Sequence, residues 1–425
     1  MGEMQVDKIG ASPCIGRRAV VVGAALALST GALGFFTRHA SQQTRSSQTS
    51  IVTYPAAVQL TSFDYMLDTL AFRTRNGEHP KLIYGSSELA PDLAGPAHPA
   101  LLLTNGRYAI DMMTMGRAGT ADLWAAIEMG AMAPQVRDRR MVFFVSMQWF
   151  LSYRNPGKEF PGVFSEGAYQ AFMTNPYIST ELKGWITDRM AEYGIDRRSG
   201  SSPIRALVEA VDGYAASLSS DLREEAGADP AAAPGAQTTP LRAVTAPLTA
   251  EEEAAQPKTV AGDPDWPFIF AAALADARSR SGGNNLGFYD DWYKKKFKTW
   301  EKGAKKSWRR QADGEYFSRQ ELDDFKMLLE VCHEAGITPL VVIQPVKGAA
   351  YDQTIYTCDV RRQYYDMIRG AMSEAGVSFA DFSDREYDPF FLRDYSHPSD
   401  LGGAYYSRAI YSWFTTGKAD TSKIS

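Results

Sequence analysis

The chain has 425 residues, 44% of them apolar, 12% aromatic, and carries a net charge of −5 at pH 7. The apolar content excludes wholesale disorder, and the acidic balance gives no electrostatic footprint for nucleic acid. The three cysteines, Cys14, Cys332 and Cys358, are too few for a disulfide framework and lack zinc spacing; at most Cys332 and Cys358 form one pair.

Lys8, Arg17 and Arg18 precede Ala19 to Phe36, a stretch without a charge. Its length suits a membrane helix, which needs roughly 20 such residues, and the leading basic residues favour an N-inside orientation. An uncleaved single-pass anchor is therefore expected over 19–36, after a cytoplasmic segment 1–18. A cleaved signal peptide fits less well, because "TRHAS" is a poor small-x-small site, and Arg17-Arg18 also permits twin-arginine export. Each alternative leaves the rest of the chain outside the cytoplasm. Residues 37–52 read as a polar stalk, and a globular domain follows in two parts, 53–223 and 265–417, ending in a short tail 418–425. Between the parts, 224–264 is rich in Ala, Pro, Thr and Glu and nearly devoid of aromatics, the composition of a flexible insertion.

Phe63, Met66, Leu67 and Leu70 recur at helical spacing. "KLIYG" (81–85) is the first strand, and a second, within 109–119, ends in glycines. "ADLWAAIEMGAMA" has helical periodicity, and "MVFFVSMQWF" (141–150) is a strand apolar enough to be buried on both faces. Helical segments follow to about residue 219. Beyond the insertion, Ser318 caps a helix that ends at Gly336, "TPLVVIQPV" (338–346) is the fourth strand, and a further helix closes at Gly376. "VSFADFS" (377–383) is the fifth strand, and a helix from Leu401 completes the domain. Apolar strands alternating with helices predict an α/β fold, a three-layer doubly wound, mostly parallel sheet. Ligands of such sheets bind beyond the carboxyl ends of the strands, which aligns Gly85-Ser86-Ser87, Gly116 to Gly119, Ser146 to Trp149 and Gln344-Pro345 along one edge.

A serine hydroxyl needs a base to become a nucleophile, and the base needs an orienting group. Asp394 and His397, three residues apart, are spaced so that the carboxylate can hold the imidazole while its other nitrogen faces a serine. Ser87 stands where the first strand turns, so backbone N–H groups there are available to an oxyanion. Each motif alone is weak. Gly-Ser-Ser is more often a turn or cap, and a histidine more often satisfies a structural hydrogen bond.

"YGSSEL", "MGRAGTADL", "VSMQWF", "ISTELK", "FYDDWY", "IQPVKGAAYD" and "DYSHPSDLGG", in this order behind an apolar N-terminal stretch, resemble the DltD family. These are the D-alanyl transfer proteins of teichoic-acid D-alanylation, themselves similar to SGNH serine hydrolases. The resemblance runs over roughly residues 50 to 415, the insertion excepted. It implies Ser87 as nucleophile, His397 as base and Asp394 as its orienting group, with no metal or other cofactor. It also implies a teichoic-acid acceptor, and a D-alanyl donor carrier or membrane acyltransferase as partner. By the same resemblance Gln148 takes the place of the oxyanion-hole asparagine, with Gly116 or Gly119 supplying a backbone donor. Glycines also serve simply to permit tight turns, and Gln148 serves as well as a structural hydrogen-bond partner. Arg117-Ala118 and the Pro-Ser-Asp after His397 depart from the expected pattern and bear on the shape of the acyl pocket.

Residues 292–310, "WYKKKFKTWEKGAKKSWRR", hold nine Lys or Arg against one Glu, interleaved with aromatics. Such a segment suits a polyphosphate-like polymer or an anionic membrane surface, or else is a solvated helix whose rings pack inward. Three functions are thus in view: D-alanyl transfer to teichoic acid, an SGNH-type esterase or O-acyltransferase acting on another envelope polymer, and a non-catalytic scaffold.

Overall fold

Five short apolar runs become strands: β1 (Lys81–Gly85), β2 (Met112–Gly116), β3 (Arg140–Val145), β4 (Thr338–Ile343) and β5 (Ser378–Asp381). The computed structural model describes residues 63–75, 79–90, 93, 95–104, 108, 110–116, 118–197, 262–307 and 315–424. The expected span 19–36, the stalk 37–52, Cys14, Arg117, the helical stretch beyond 197 and insertion residues 224–261 lie outside these. Among the described residues, no helix is long and apolar enough to cross a membrane.

The strands form one sheet in the order β2-β1-β3-β4-β5, and every pairing is parallel, not merely most of them. Both faces are covered, which is why the strands lack polar alternation. Leu82, Tyr84, Met141 and Phe143 face one apolar layer, built with helices α1 (Phe63–Arg75), α2 (Asp122–Met132), α5 (Arg319–Glu334) and α6 (Cys358–Glu374). Ile83, Val142, Phe144 and Val342 face the other, built with α3 (Trp266–Arg280) and α7 (Asp400–Thr416). Helix α4 (Lys298–Ser307) lies between α3 and α5 in the chain. Each large apolar side chain buried this way contributes about 1.5–3 kcal/mol.

The expected punctuation holds. Ser318 Oγ accepts the Glu321 N–H at 3.1 Å, and Gly336 and Gly376 stop α5 and α6 with φ near +66°. Two strands are shorter than the sequence suggested. Val145 and Ile343 are the last register partners of β3 and β4, and beyond them Met147–Phe150 coils into a 3₁₀ turn. Cys332 and Cys358 do not pair: Cys332 is buried in the core and Cys358 is exposed at the start of α6, both as free thiols.

In this strand order β1 lies between β2 and β3, so the chain reverses its direction of winding there. Such a reversal opens a crevice beyond the carboxyl ends of β1 and β3. Gly85-Ser86-Ser87 and Ser146 to Trp149 follow these two ends.

Candidate active site

The turn after β1 is built by close backbone approach. Gly85 and Gly116 are register partners at the ends of β1 and β2. A Cβ on Gly116, whose φ is +151°, would fall 1.9 Å from the Gly85 carbonyl oxygen, and one on Gly85 would fall 2.3 Å from Glu88 Oε1. At Gly116 backbone blocks the added carbon and the φ is left-handed, so only glycine fits; at Gly85 an added carbon would have to displace the Glu88 carboxylate. Thr120 Oγ donates to the same Gly85 carbonyl at 2.9 Å, tying the loop after β2 to the elbow. Glu88 is buried and accepts the Ser86 N–H at 2.6 Å. This fixes the two serines in different roles: Ser86 is buried, while half-exposed Ser87 heads a 3₁₀ turn, Ser87–Leu89. The turn's own bonds run from Leu89 N to Ser86 O and from Ala90 N to Ser87 O, so the Ser87 N–H is one of the donors a helical turn leaves without an internal partner.

The second half of the site is the loop before α7. Leu392 bridges Pro398, and the Arg393 N–H donates to the His397 carbonyl, closing a tight loop around residues 394–396. Asp394 Oδ1 accepts the N–H groups of Ser396 (2.9 Å) and His397 (2.8 Å), so the carboxylate organises the loop that carries the imidazole. The Pro-Ser-Asp after His397 works here as scaffolding. Ser399 caps α7, and Asp400 Oδ1 accepts the Ala97 N–H at 2.8 Å. Gly402 lets α7 approach the Phe391 carbonyl, where a Cβ would stand 2.3 Å away.

Ser87 and His397, 310 positions apart, meet: Ser87 Oγ lies 2.8 Å from His397 Nε2. His397 Nδ1 lies 2.9 and 3.0 Å from the two oxygens of Asp394. A carboxylate only accepts, so Nδ1 carries the proton and Nε2 is left to accept the serine O–H. Asp394 is 1% exposed, whereas the His397 side chain keeps 15% of its surface open. Burial pushes the Asp394 carboxyl up, but the charge and hydrogen bonds of His397 and the Ser396 amide outweigh it, and the net shift is downward. For His397, burial pulls down, and the Asp394 charge and hydrogen bond, helped by Glu88, raise it above its ordinary value. Burial likewise raises the Glu88 carboxyl, against the pull of its amide partners and His397. His98, fully buried, behaves differently. With no carboxylate beside it, burial lowers it to about 3, and its Nδ1 accepts the Ala100 N–H as a helix cap.

Of the three oxyanion candidates, Gly116 is the register partner just described, and Gly119 turns with φ +93° in open space. Gln148 sits in the 3₁₀ turn after β3, where its Nε2 donates to the Tyr351 hydroxyl at 3.3 Å and its carbonyl accepts from Arg154. Gly119 also lines a cavity with Trp124, Trp149, Arg154, Tyr193 and Glu321. Glu321 and Asp324 of this lining, with Asp122, form a group of carboxyls for which the sequence gives no spacing cue. Glu321 accepts the Asp122 N–H at 3.2 Å, and Asp324 is held by Tyr193 (2.5 Å) and Arg189 (2.8 Å). Burial raises all three carboxyls, Asp324 to about 8.

Lys347 and Trp300 brace the loop that carries His397. Buried Lys347 donates from Nζ to the Pro389 carbonyl at 2.7 Å, and its N–H donates to the Tyr395 carbonyl. Tyr395 stacks on Trp300 with ring centroids 5.2 Å apart, and meets His397 edge-on at 6.2 Å.

The chain matches the family described as DltD protein over residues 64–415, a span that includes Ser87, Asp394 and His397. It is 27% identical over 352 residues to Protein DltD of Bacillus subtilis (strain 168), covering 80% of this chain and 83% of that protein. It is 22% identical over 333 residues to Protein DltD of Staphylococcus aureus (strain NCTC 8325 / PS 47), covering 77% and 79% respectively. With the family match spanning most of its length, the chain belongs to the DltD family.

Proposed function

We propose that the protein is a serine acyltransferase that moves D-alanyl groups onto teichoic acid on the outer side of the cytoplasmic membrane, held there by the span 19–36. The observation that carries this reading is the hydrogen-bonded line from Ser87 Oγ through His397 to Asp394, at 2.8 and 2.9 Å. The family's association with D-alanylation supplies the acyl group and the acceptor.

In this scheme Ser87 Oγ attacks the carbonyl carbon of an activated D-alanyl donor while His397 Nε2 takes the hydroxyl proton. Asp394 stabilises the imidazolium so formed, and backbone N–H groups at the Ser87 turn stabilise the oxyanion. His397 then gives its proton to the departing donor group, leaving a D-alanyl ester on Ser87. A teichoic-acid hydroxyl attacks that ester, with His397 again accepting the proton and returning it to Ser87 Oγ. General-base assistance of this kind is worth about 10²–10⁴ in rate. No step calls on a metal. The donor reaches the site from an acyl carrier or a membrane acyltransferase.

The test is complementation of a strain lacking the protein with Ser87→Ala, measuring D-alanine esters on the envelope polymer. The expected result is their absence with the protein present at normal level. Normal ester content would point to a non-catalytic scaffold, and release of acetate but not D-alanine by the purified protein would point to an esterase of another polymer.

A further inference from the structure

Residues 290–307 form one continuous helical stretch: a turn at Asp290–Trp292, a π-type turn at Tyr293–Phe297, then α4. Its two sides differ sharply. Phe297 and Ala304 are buried, and Trp292 and Trp300 pack against Tyr395 with ring centroids 5.7 and 5.2 Å away. Tyr395 in turn meets the His397 ring, so the inner side of this helix is two ring contacts from the imidazole. The outer side carries Lys294, Lys295, Lys296, Lys298 and Lys302, all exposed. No ion pair is found for any of the five among the described residues. Asp290 is occupied in accepting the Gly283 N–H and an Asn284 amide hydrogen. On a chain whose net charge is −5, this is a concentrated patch of the opposite sign beside the nucleophile's base.

From this arrangement, and resting on the acyl-transfer reading above, we infer that the lysine face of residues 294–302 is a track for a polyanionic acceptor with phosphodiester repeats, holding its hydroxyls beside Ser87. Lysine ammonium groups suit a flexible polymer because each acts as a point charge without fixed geometry. An adsorbed membrane helix buries its apolar face in lipid. Here that face is already spent on the catalytic loop, and no large apolar side chain of 290–304 is exposed. The polymer is therefore the occupant the surface fits.

The test uses the full chain in non-ionic detergent and end-labelled, lipid-free poly(glycerol phosphate) as the probe, with binding read by fluorescence anisotropy at several salt concentrations. Replacing the five lysines by glutamine is expected to weaken binding at low salt at least about tenfold and to flatten its salt dependence, since fewer counterions are released. The five-fold Lys→Arg variant keeps the charge and is expected to bind as the unaltered chain does. Unchanged affinity in the glutamine variant, or equal loss in the arginine variant, would overturn the track. So would loss of binding to phosphatidylglycerol vesicles with polymer affinity intact, which would assign the patch to the membrane surface. Binding is also measured on Ser87→Ala, which is expected to retain it. Failure of the acyl-transfer reading would then appear as normal esters with intact polymer binding, distinct from failure of the track.

Discussion

Asp394→Asn is the substitution that separates holding the imidazole from building the loop. Asp394 accepts the amides of Ser396 and His397 at 2.9 and 2.8 Å, and both of its oxygens face His397 Nδ1. Asparagine keeps one oxygen for the amides, so the loop persists. It loses the charge that fixes the tautomer, and its amide hydrogens, if turned toward Nδ1, force the ring to carry its proton on Nε2, where it blocks the serine. In a serine-histidine-aspartate site this change lowers kcat by about 10⁴. At 1.36 kcal/mol per decade that is about 5 kcal/mol of transition-state stabilisation. There is a second signature. His397 works as a base only when neutral, so the rate falls as pH drops through its pKa. Burial lowers that pKa, but the Asp394 charge and hydrogen bond, joined by the Glu88 charge, together outweigh it, so the midpoint of the unaltered protein lies above the ordinary 6.5. The asparagine variant lacks the Asp394 charge, and its midpoint moves down. The assay is the rate of Ser87 labelling by a fluorophosphonate from about pH 5 to about pH 9, bracketing the histidine range. A variant within tenfold of the unaltered rate, with an unmoved midpoint, would refute the reasoning.

Two glycines at the site give contrasting expectations in urea unfolding. Gly116→Ala combines a left-handed φ with a Cβ 1.9 Å from a carbonyl oxygen, so strain and overpacking together are expected to cost more than about 2 kcal/mol. Gly119→Ala has the same φ problem but empty space around the added carbon, and about 1–2 kcal/mol is expected. Equal costs would show that the approach of Gly116 to Gly85 is not what constrains the elbow. Glu88→Ala leaves the buried Ser86 N–H without its 2.6 Å partner, an expected loss of about 1–3 kcal/mol. Removing the Glu88 charge also lowers the His397 midpoint, so a stability loss with no shift in the labelling profile would show that Glu88 acts on the elbow alone.

What could be read from the sequence follows from how local each signal is. The strands are short apolar runs, the first two closed by Gly85 and Gly116, and Gly336 and Gly376 stop their helices through a conformation that only glycine adopts cheaply, so these glycines mark the ends without any knowledge of the fold. Asp394 and His397 lie three residues apart, and their pairing is legible for the same reason. Ser87 joins them through parallel topology, which fixes the edge at which loops gather. The ends of β3 and β4 were not legible, because where an apolar run stops being a strand depends on its neighbour's last partner, not on its own residues. The buried carboxyls Asp122, Glu321 and Asp324 come from helices almost 200 positions apart, so no spacing announces them. In 292–310 the charge was visible and the orientation was not. Only the fold brings Trp300 onto Tyr395 and turns Lys294, Lys295, Lys296, Lys298 and Lys302 outward.

The central claim is that Ser87 carries the acyl group. The full-length protein, exposed to an activated D-alanyl donor, quenched in acid and digested, is examined by mass spectrometry. One added D-alanyl mass is expected on the peptide containing Ser87, and none after Ser87→Ala. Modification at another residue, or equal modification in the alanine variant, would contradict it.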